Sequence, residues 1–358
     1  MIDGTTPSLS TYSSYGRDAG SARVRVFDWL AHLNIKANSR TYLDQSNNSP
    51  RSLLTHPFGM ALAEVNLRAD AACRTGRTVL VSRQASPFSA GHIEARLLRR
   101  SRPGVYDFDD ALMNSPFGDA GRKTLKQRAW RRAVAAADVV IAGNDHLASA
   151  ASRFNENVVV IPSCVEPGDY TLKKTYEIQQ VPRAVWMGSP ATEKYLVKIA
   201  KPLLERHRVS GLRLTVISAG SALLGELDQM VDRQDWRRDT FASELALADF
   251  GIMPLDDTAW SRGKCAYKLL QYGAAGLPSI GNPVGANTKI LELSRGFAPA
   301  SEAEWADALT SMIAESAQQR KSRGLIARSA VETGFSFASW AEEWTSAMRI
   351  EKSDWGQR

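Results

Sequence analysis

Apolar and polar positions along the chain follow two periods in alternation. Short apolar runs bounded by Gly, Pro, Asn or Ser fall at 40–43, 78–81, 104–108, 137–142 and 157–161 and predict strands, with a weaker first strand at 8–14. Between them, spacings of three and four predict helices at 21–33, 62–73, 93–100, 122–134 and 147–154. Ser21 is placed to cap the first of these, whose apolar face is Val24, Phe27, Trp29, Leu30 and Leu33. A polar stretch from Glu166 to Pro182 interrupts the pattern, which then restarts with strands at 184–187, 212–217 and 248–253, helices at 193–206 and 240–247, and helices after Ile290. Strand–helix alternation on both sides of that interruption predicts an α/β protein with two doubly wound parallel sheets.

The stretch from Pro254 to Ile290 carries the densest chemistry. Ala266, Leu269, Leu270, Gly273 and Ala274 form one apolar, close-packing stripe of a helix. Gly276 ends it as a left-handed cap, Pro278 follows, a short strand runs to Ile280, and Asn282, Pro283, Gly285 and Asn287 make the next turn. Ligands of such sheets bind beyond the carboxyl ends of the strands, which is where the loop from Asp256 to Lys264 falls. Arg262, Lys264 and Lys268 flank a helix start, at about Cys265, whose free N–H groups and dipole favour an anion. A diphosphate would receive charge-assisted hydrogen bonds there, and Gln271 could bond a hydroxyl such as that of a ribose. The bland alternative is a solvated basic helix start. Two further small-residue loops at strand-to-helix junctions suit phosphate: one around Gly16 and Gly20, and one at Gly188, Ser189, Pro190 and Thr192, with Lys194 just beyond. Arg23 and Arg25 either line the first of these loops or face solvent.

Composition narrows the classes. The 358 residues are 44% hydrophobic and 23% charged, in the globular range, and carry a net charge of +7. That charge favours acidic partners: nucleotide-sugars, anionic lipid or nucleic acid. No apolar run reaches the roughly 18 residues of a membrane span, and the N-terminus lacks the regions of a signal peptide, so a cytoplasmic protein is expected. Three scattered cysteines suggest neither a disulfide framework nor a zinc site. Asp107, Asp109 and Asp110, in DFDDA, either serve as acid/base or metal-binding groups or cap a helix. The basic helix at 122–132 is either solvated or a contact for anionic lipid. The scattered basic residues elsewhere do not make the stripe expected of a specific nucleic-acid binder.

MPLDD, RGKCAYKLLQYGAAGLP and NPVGAN resemble the donor-binding segment of GT-B glycosyltransferases, in particular the retaining, nucleotide-sugar-dependent family 4 group, in a bacterial subgroup with the pattern RGKCxxKLLQY. VYDFDDA and GSPATEKYL resemble further segments of that subgroup. The resemblance implies two Rossmann-like domains facing a cleft: an acceptor-binding domain at 1–170, a donor-binding domain at 182–335, and a final helix at 336–358 crossing back to the first domain. It implies a UDP- or GDP-sugar as donor, and a small molecule, glycan or glycolipid as acceptor. It also implies protein cations in place of a required cofactor or metal. By the same resemblance, Arg262 and Lys264 face the leaving diphosphate, with Gly16, Gly188, Ser189, Pro190, Thr192, Gly263, Cys265, Lys268 and Gln271 around the donor. Asp107, Asp109, Asn144 and His146 lie toward the acceptor, and the helix containing Glu244 toward the base. Where many family members carry two Glu residues, this chain has Gly263 and Gln271. Two other functions fit parts of the sequence: a nucleotide-sugar epimerase of the same fold, and a basic nucleic-acid-binding protein.

Overall fold

The computed structural model describes residues 9–45, 55–73, 76–114 and 124–351. The chain forms two compact units, one of Met1–Ser163, Gly263–Cys265 and Trp340–Arg358, the other of Cys164–Arg262 and Ala266–Ser339. No described helix is long and apolar enough to cross a membrane.

In the first unit the chain runs β1 (Leu9–Ser13), α1 (Gly20–Ala22), a π-helical turn (Arg23–Phe27), α2 (Asp28–His32), β2 (Ala37–Thr41), α3 (Pro57–Ala72), β3 (Thr78–Ser82), α4 (His92–Arg99), β4 (Gly104–Phe108), α5 (Leu125–Ala136), β5 (Val139–Ala142), α6 (Asp145–Ala151) and β6 (Val158–Val160). The strands are all parallel, in the order β2-β1-β3-β4-β5-β6. β1, β3, β4 and β5 are buried at every position, as strands covered by helices on both faces must be. Chain order reverses between β1 and β3, so the loops leaving their carboxyl ends open a crevice there.

The second unit runs β7 (Arg183–Met187), α7 (Lys194–Val197), α8 (Ala200–Ser210), β8 (Arg213–Ile217), β9 (Val231–Gln234), α9 (Phe241–Leu247), β10 (Phe250–Met253), α10 (Tyr267–Ala274), β11 (Ser279–Gly281), α11 (Ala286–Leu293), α12 (Glu302–Ala314) and α13 (Ala317–Gly334). Its parallel sheet has the order β11-β10-β7-β8-β9. Alternate residues of β7 feed the two faces: Val185 and Met187 join a core with Leu269, Leu270 and Tyr272 of α10, while Ala184 and Trp186 join one with Leu203, Leu204 and Trp305. The predicted close-packing stripe is present. Gly276 takes φ +67 and ends α10, and a Cβ on Gly273 would come within 2.7 Å of Val331 Cγ2 on α13.

A final helix, α14 (Ala341–Met348), belongs to the first unit. Its Trp344 stacks on Trp29, with ring centroids 5.2 Å apart and planes 9° off parallel, and Thr78 Oγ1 donates to the Met348 carbonyl at 3.0 Å. Trp355 lies outside the described residues.

Several boundaries differ from the sequence pattern. Ser21 does not cap the first helix; Ala19 is its N-cap residue, with no side-chain cap. The basic helix starts at Leu125, because Thr124 and Gln127 form a capping box; Arg122 and Lys123 lie outside the described residues. The helix predicted at 193–206 is broken at Ile199, and Pro202, which lacks an N–H, sits in the first turn of the new helix α8. No helix starts within 109–114, so DFDDA does not act as a helix cap there. β9, half-buried at the sheet edge, has no apolar run to announce it.

Candidate functional site

In the second unit chain order reverses between β7 and β10, and the loops after these strands carry Gly188, Ser189, Pro190 and Thr192 on one side and residues 254–262 on the other. Gly188 donates its N–H to the Ile217 carbonyl at 3.1 Å. A Cβ there would lie 2.6 Å from Lys268 Cε and 2.7 Å from the Trp186 ring. Lys268 Nζ lies 5.2 Å from the centroid of that buried ring, a cation–π contact that draws the ammonium across the glycine. Ser189 and Pro190 are exposed; Pro190–Thr192 is a 3-10 turn in which Thr192 Oγ1 donates to the Ser189 carbonyl at 2.9 Å.

Lys268 is the second residue of α10. That helix has no acid in its first turn, and its N-cap residue, Ala266, contributes no side-chain cap and takes φ 52°. A non-glycine residue in the left-handed region costs about 1–2 kcal/mol, and such strain concentrates at functional positions. A cation at a helix N-terminus is repelled by the dipole unless an anion joins them.

The loop before α10 is braced from both ends. Asp256 accepts from Ser261 Oγ and from Lys198 Nζ, both at 2.7 Å. Asn282, from the NPVGAN turn, accepts the Leu255 N–H at 2.9 Å. Gly285, at φ +56, lies so close under Arg262 that a Cβ would come 2.5 Å from the Arg262 carbonyl oxygen. Arg262 itself is exposed and forks onto Asp257 at 2.6 and 2.9 Å. Gln271 is buried and donates to Tyr170 Oη at 3.1 Å.

The first unit gathers a second set of groups at the ends of β1, β3 and β4. Arg25, turned inward by the π-helical turn and fully buried, grips Asp107 through Nε and Nη2, the latter at 2.6 Å. Its Nη1 donates to the Ile161 and Pro162 carbonyls. Burial raises the Asp107 carboxyl above its ordinary value, against the pull of Arg25. Arg83, at φ 61, reaches Asp110 at 2.8 Å, Asp109 at 3.6 Å and Ser21 Oγ at 2.6 Å. Ser21 Oγ in turn donates to Asp109 at 2.7 Å.

Lys264 Nζ sits 2.7 Å from Asp110. Burial opposes ionisation of Asp110, but Lys264 and Arg83 outweigh it and hold the carboxyl below its ordinary range. Burial likewise disfavours the Lys264 ammonium, and Asp110 outweighs it in the other direction. Cys265 packs under Gly143, its thiol 3.3 Å from the Asp109 carbonyl and pushed up by burial. Asn144 caps α6 through Leu147 N–H at 2.9 Å and donates to the Lys264 carbonyl at 3.1 Å. His146 is half-buried on α6. Gly16 lies against the backbone of Asp44 and donates to Gln45 at 2.8 Å. Three carboxylates thus meet three cations, Arg25, Arg83 and Lys264, so the cluster is close to neutral. Among the described residues no group of His, Cys, Asp and Glu has the geometry to hold a metal ion.

The three basic residues that the sequence groups are therefore divided: Lys264 falls in the first unit, Arg262 and Lys268 in the second. Sequence reasoning read Ser21 only as a helix cap and passed over Arg83 and Tyr15, whose ring lies 5.6 Å from the Arg83 guanidinium. The available signal was an arginine directly after an all-buried strand, a position that opens onto the crevice.

No family model matches the chain, and no curated protein matches it by sequence. Solved structures do. Anabaena HepE in complex with UDP and glucose superposes with a TM-score of 0.66 at 15% identity, over 96% of this chain and 100% of its own. WaaG, a glycosyltransferase involved in lipopolysaccharide biosynthesis, gives 0.64 at 13% identity over 95% and 99%. TarM of S. aureus gives 0.57 at 11% identity, over 75% of this chain and 55% of its own. The chain has the GT-B fold of these structures.

Proposed function

We propose that the protein is a glycosyltransferase that moves a sugar from a UDP- or GDP-sugar to an acceptor hydroxyl. The observation that carries this reading is the switch point of the second sheet. There Gly188 leaves room against Trp186, Lys268 crosses that room, and the dipole of the α10 start, whose first turn carries no acid, favours an anion. In this reading the diphosphate lies against Gly188 and the α10 start, where Lys268 balances the charge that develops as the sugar departs. Arg262, on the loop before that helix in the same unit, adds charge. There the ligand competes with Asp257, the carboxylate that already holds Arg262. The acceptor lies on the first unit near Asp109, with Asn144 and His146 beside it. Transfer with retention, and kinship with family 4, are supported by the likeness of RGKCAYKLLQY to that group.

Incubation with a panel of UDP- and GDP-sugars tests this. Free UDP or GDP should accumulate in the presence of hydroxyl acceptors, and Lys268→Ala should slow its release by about tenfold or more, the effect of losing one charge-assisted contact. Epimerised donor sugar without nucleotide release would identify an epimerase, and no turnover of any donor would refute both.

A further inference from the structure

The outer helix layer of the first unit contains a cavity of about 1270 Å³ between α3, α4 and α5. Its walls are arginine. α4 supplies Arg96 and Arg99, with Arg100 just past its end, and α5 supplies Arg128, Arg131 and Arg132. With Arg68 of α3 the lining holds seven arginines against Glu64 as its carboxylate, a formal +6 beside the +7 of the whole chain. Like charges three and four positions apart destabilise a helix, and here two facing helices both carry them. Among the described residues no ion pair reaches Arg96, Arg99 or Arg128.

The groove is built rather than splayed. Gly91, at φ +97, lets the start of α4 approach α5 so closely that a Cβ would sit 2.7 Å from Ala129 Cα. Arg132 Nη1 donates to the Ala90 carbonyl at 2.7 Å, and Arg131 lies 4.8 Å over the Phe154 ring. Besides the guanidinium forks, which match carboxylate and phosphate geometry, the cavity offers His92 and the Phe88 ring, which is 51% exposed. An imidazole suits hydroxyls, and one exposed ring suits the apolar face of a sugar.

We propose that this groove is a binding site for an anionic glycan, a sugar chain bearing carboxylate or phosphate groups, separate from the groups at the strand ends. Concavity with arginines on two walls fits a chain lying between them better than a flat bilayer surface. One aromatic among seven arginines lacks the successive stacking platforms of a single-stranded nucleic-acid channel.

Fluorescence anisotropy with labelled oligogalacturonate tests the assignment, with maltooligosaccharide, phosphatidylglycerol vesicles and single-stranded DNA in parallel. Oligogalacturonate should bind, with affinity falling steeply as salt rises, and maltooligosaccharide should not. Arg96→Glu with Arg128→Glu should weaken binding by about tenfold or more. Arg99→Gln, at an exposed position, should shift it in the same direction if the double variant fails to fold. Nucleotide binding, titrated on the same variants, should not change, which separates this site from the donor reading. Equal binding by wild type and variants, no binding at all, or tighter binding of vesicles or DNA than of oligogalacturonate would overturn the proposal.

Discussion

Asp107 and Asp110 lie on one short stretch and meet opposite fates. Asp107 is sealed in with Arg25, and burial drives its carboxyl up. Asp110 is also buried, but two cations, Lys264 and Arg83, hold it down. Removing one member of a sealed pair leaves a buried charge unmatched, so Asp107→Asn should cost about 3–5 kcal/mol of unfolding free energy, read by urea titration. Asp257→Asn, which breaks the exposed pair with Arg262, should leave that titration unchanged. For Asp110 the sign follows from its lowered folded-state value: its contribution is present above the unfolded carboxyl value of about 3.9 and fades as pH falls toward the folded one. Asp110→Asn should therefore be less stable than wild type at neutral pH, and the gap should close as the medium is acidified below about pH 4. A gap that stays constant down to acid pH would mean that Asp110 is not held by its cations. Gly188→Ala belongs to this scale too. The buried Trp186 ring cannot retreat, so Lys268 must move, and nucleotide affinity should drop by about tenfold with little change in melting temperature.

At the scale of elements, the sheets were legible because parallel strands covered on both faces read as unbroken apolar runs. The βα loops were legible because glycine and small residues mark where strands turn into helices. Edges were harder to read. β9 is half-buried and polar, and the start of α5 is set by the Thr124–Gln127 capping box rather than by its run of basic residues. Arg25 could not be placed because a π-helical turn shifts its face, and nothing in the spacing signals that turn. The C-terminal helix is held in the first unit by its aromatic contact, where Trp344 stacks on Trp29. Trp344→Ala should cost about 3–5 kcal/mol and expose α14 to limited proteolysis. Unchanged resistance to protease would show that this stack does not hold the helix.

At the scale of the whole molecule, side chains from residues 21, 83 and 110 meet in one cluster because sheet order brings their loops together, so a linear reading named the acids but not Arg83 opposite them. The helix itself was legible because its apolar stripe and its glycine stop are contiguous in the chain, but it starts at Tyr267 rather than at about Cys265, after an N-cap residue with no side-chain cap. Charge distribution follows the same rule: a net +7 is visible in the composition, yet its concentration on facing helices appears only once they are packed. The central claim is that the switch point of the second sheet binds a nucleoside diphosphate through Lys268. Calorimetric titration of UDP and of GDP into wild type and Lys268→Ala tests it most directly. One of the two nucleotides should bind wild type, adding about 2.7 kcal/mol of stability at a hundredfold excess over its Kd, and the variant should bind it at least about tenfold more weakly. Binding of neither nucleotide, or equal binding by wild type and variant, would contradict the account.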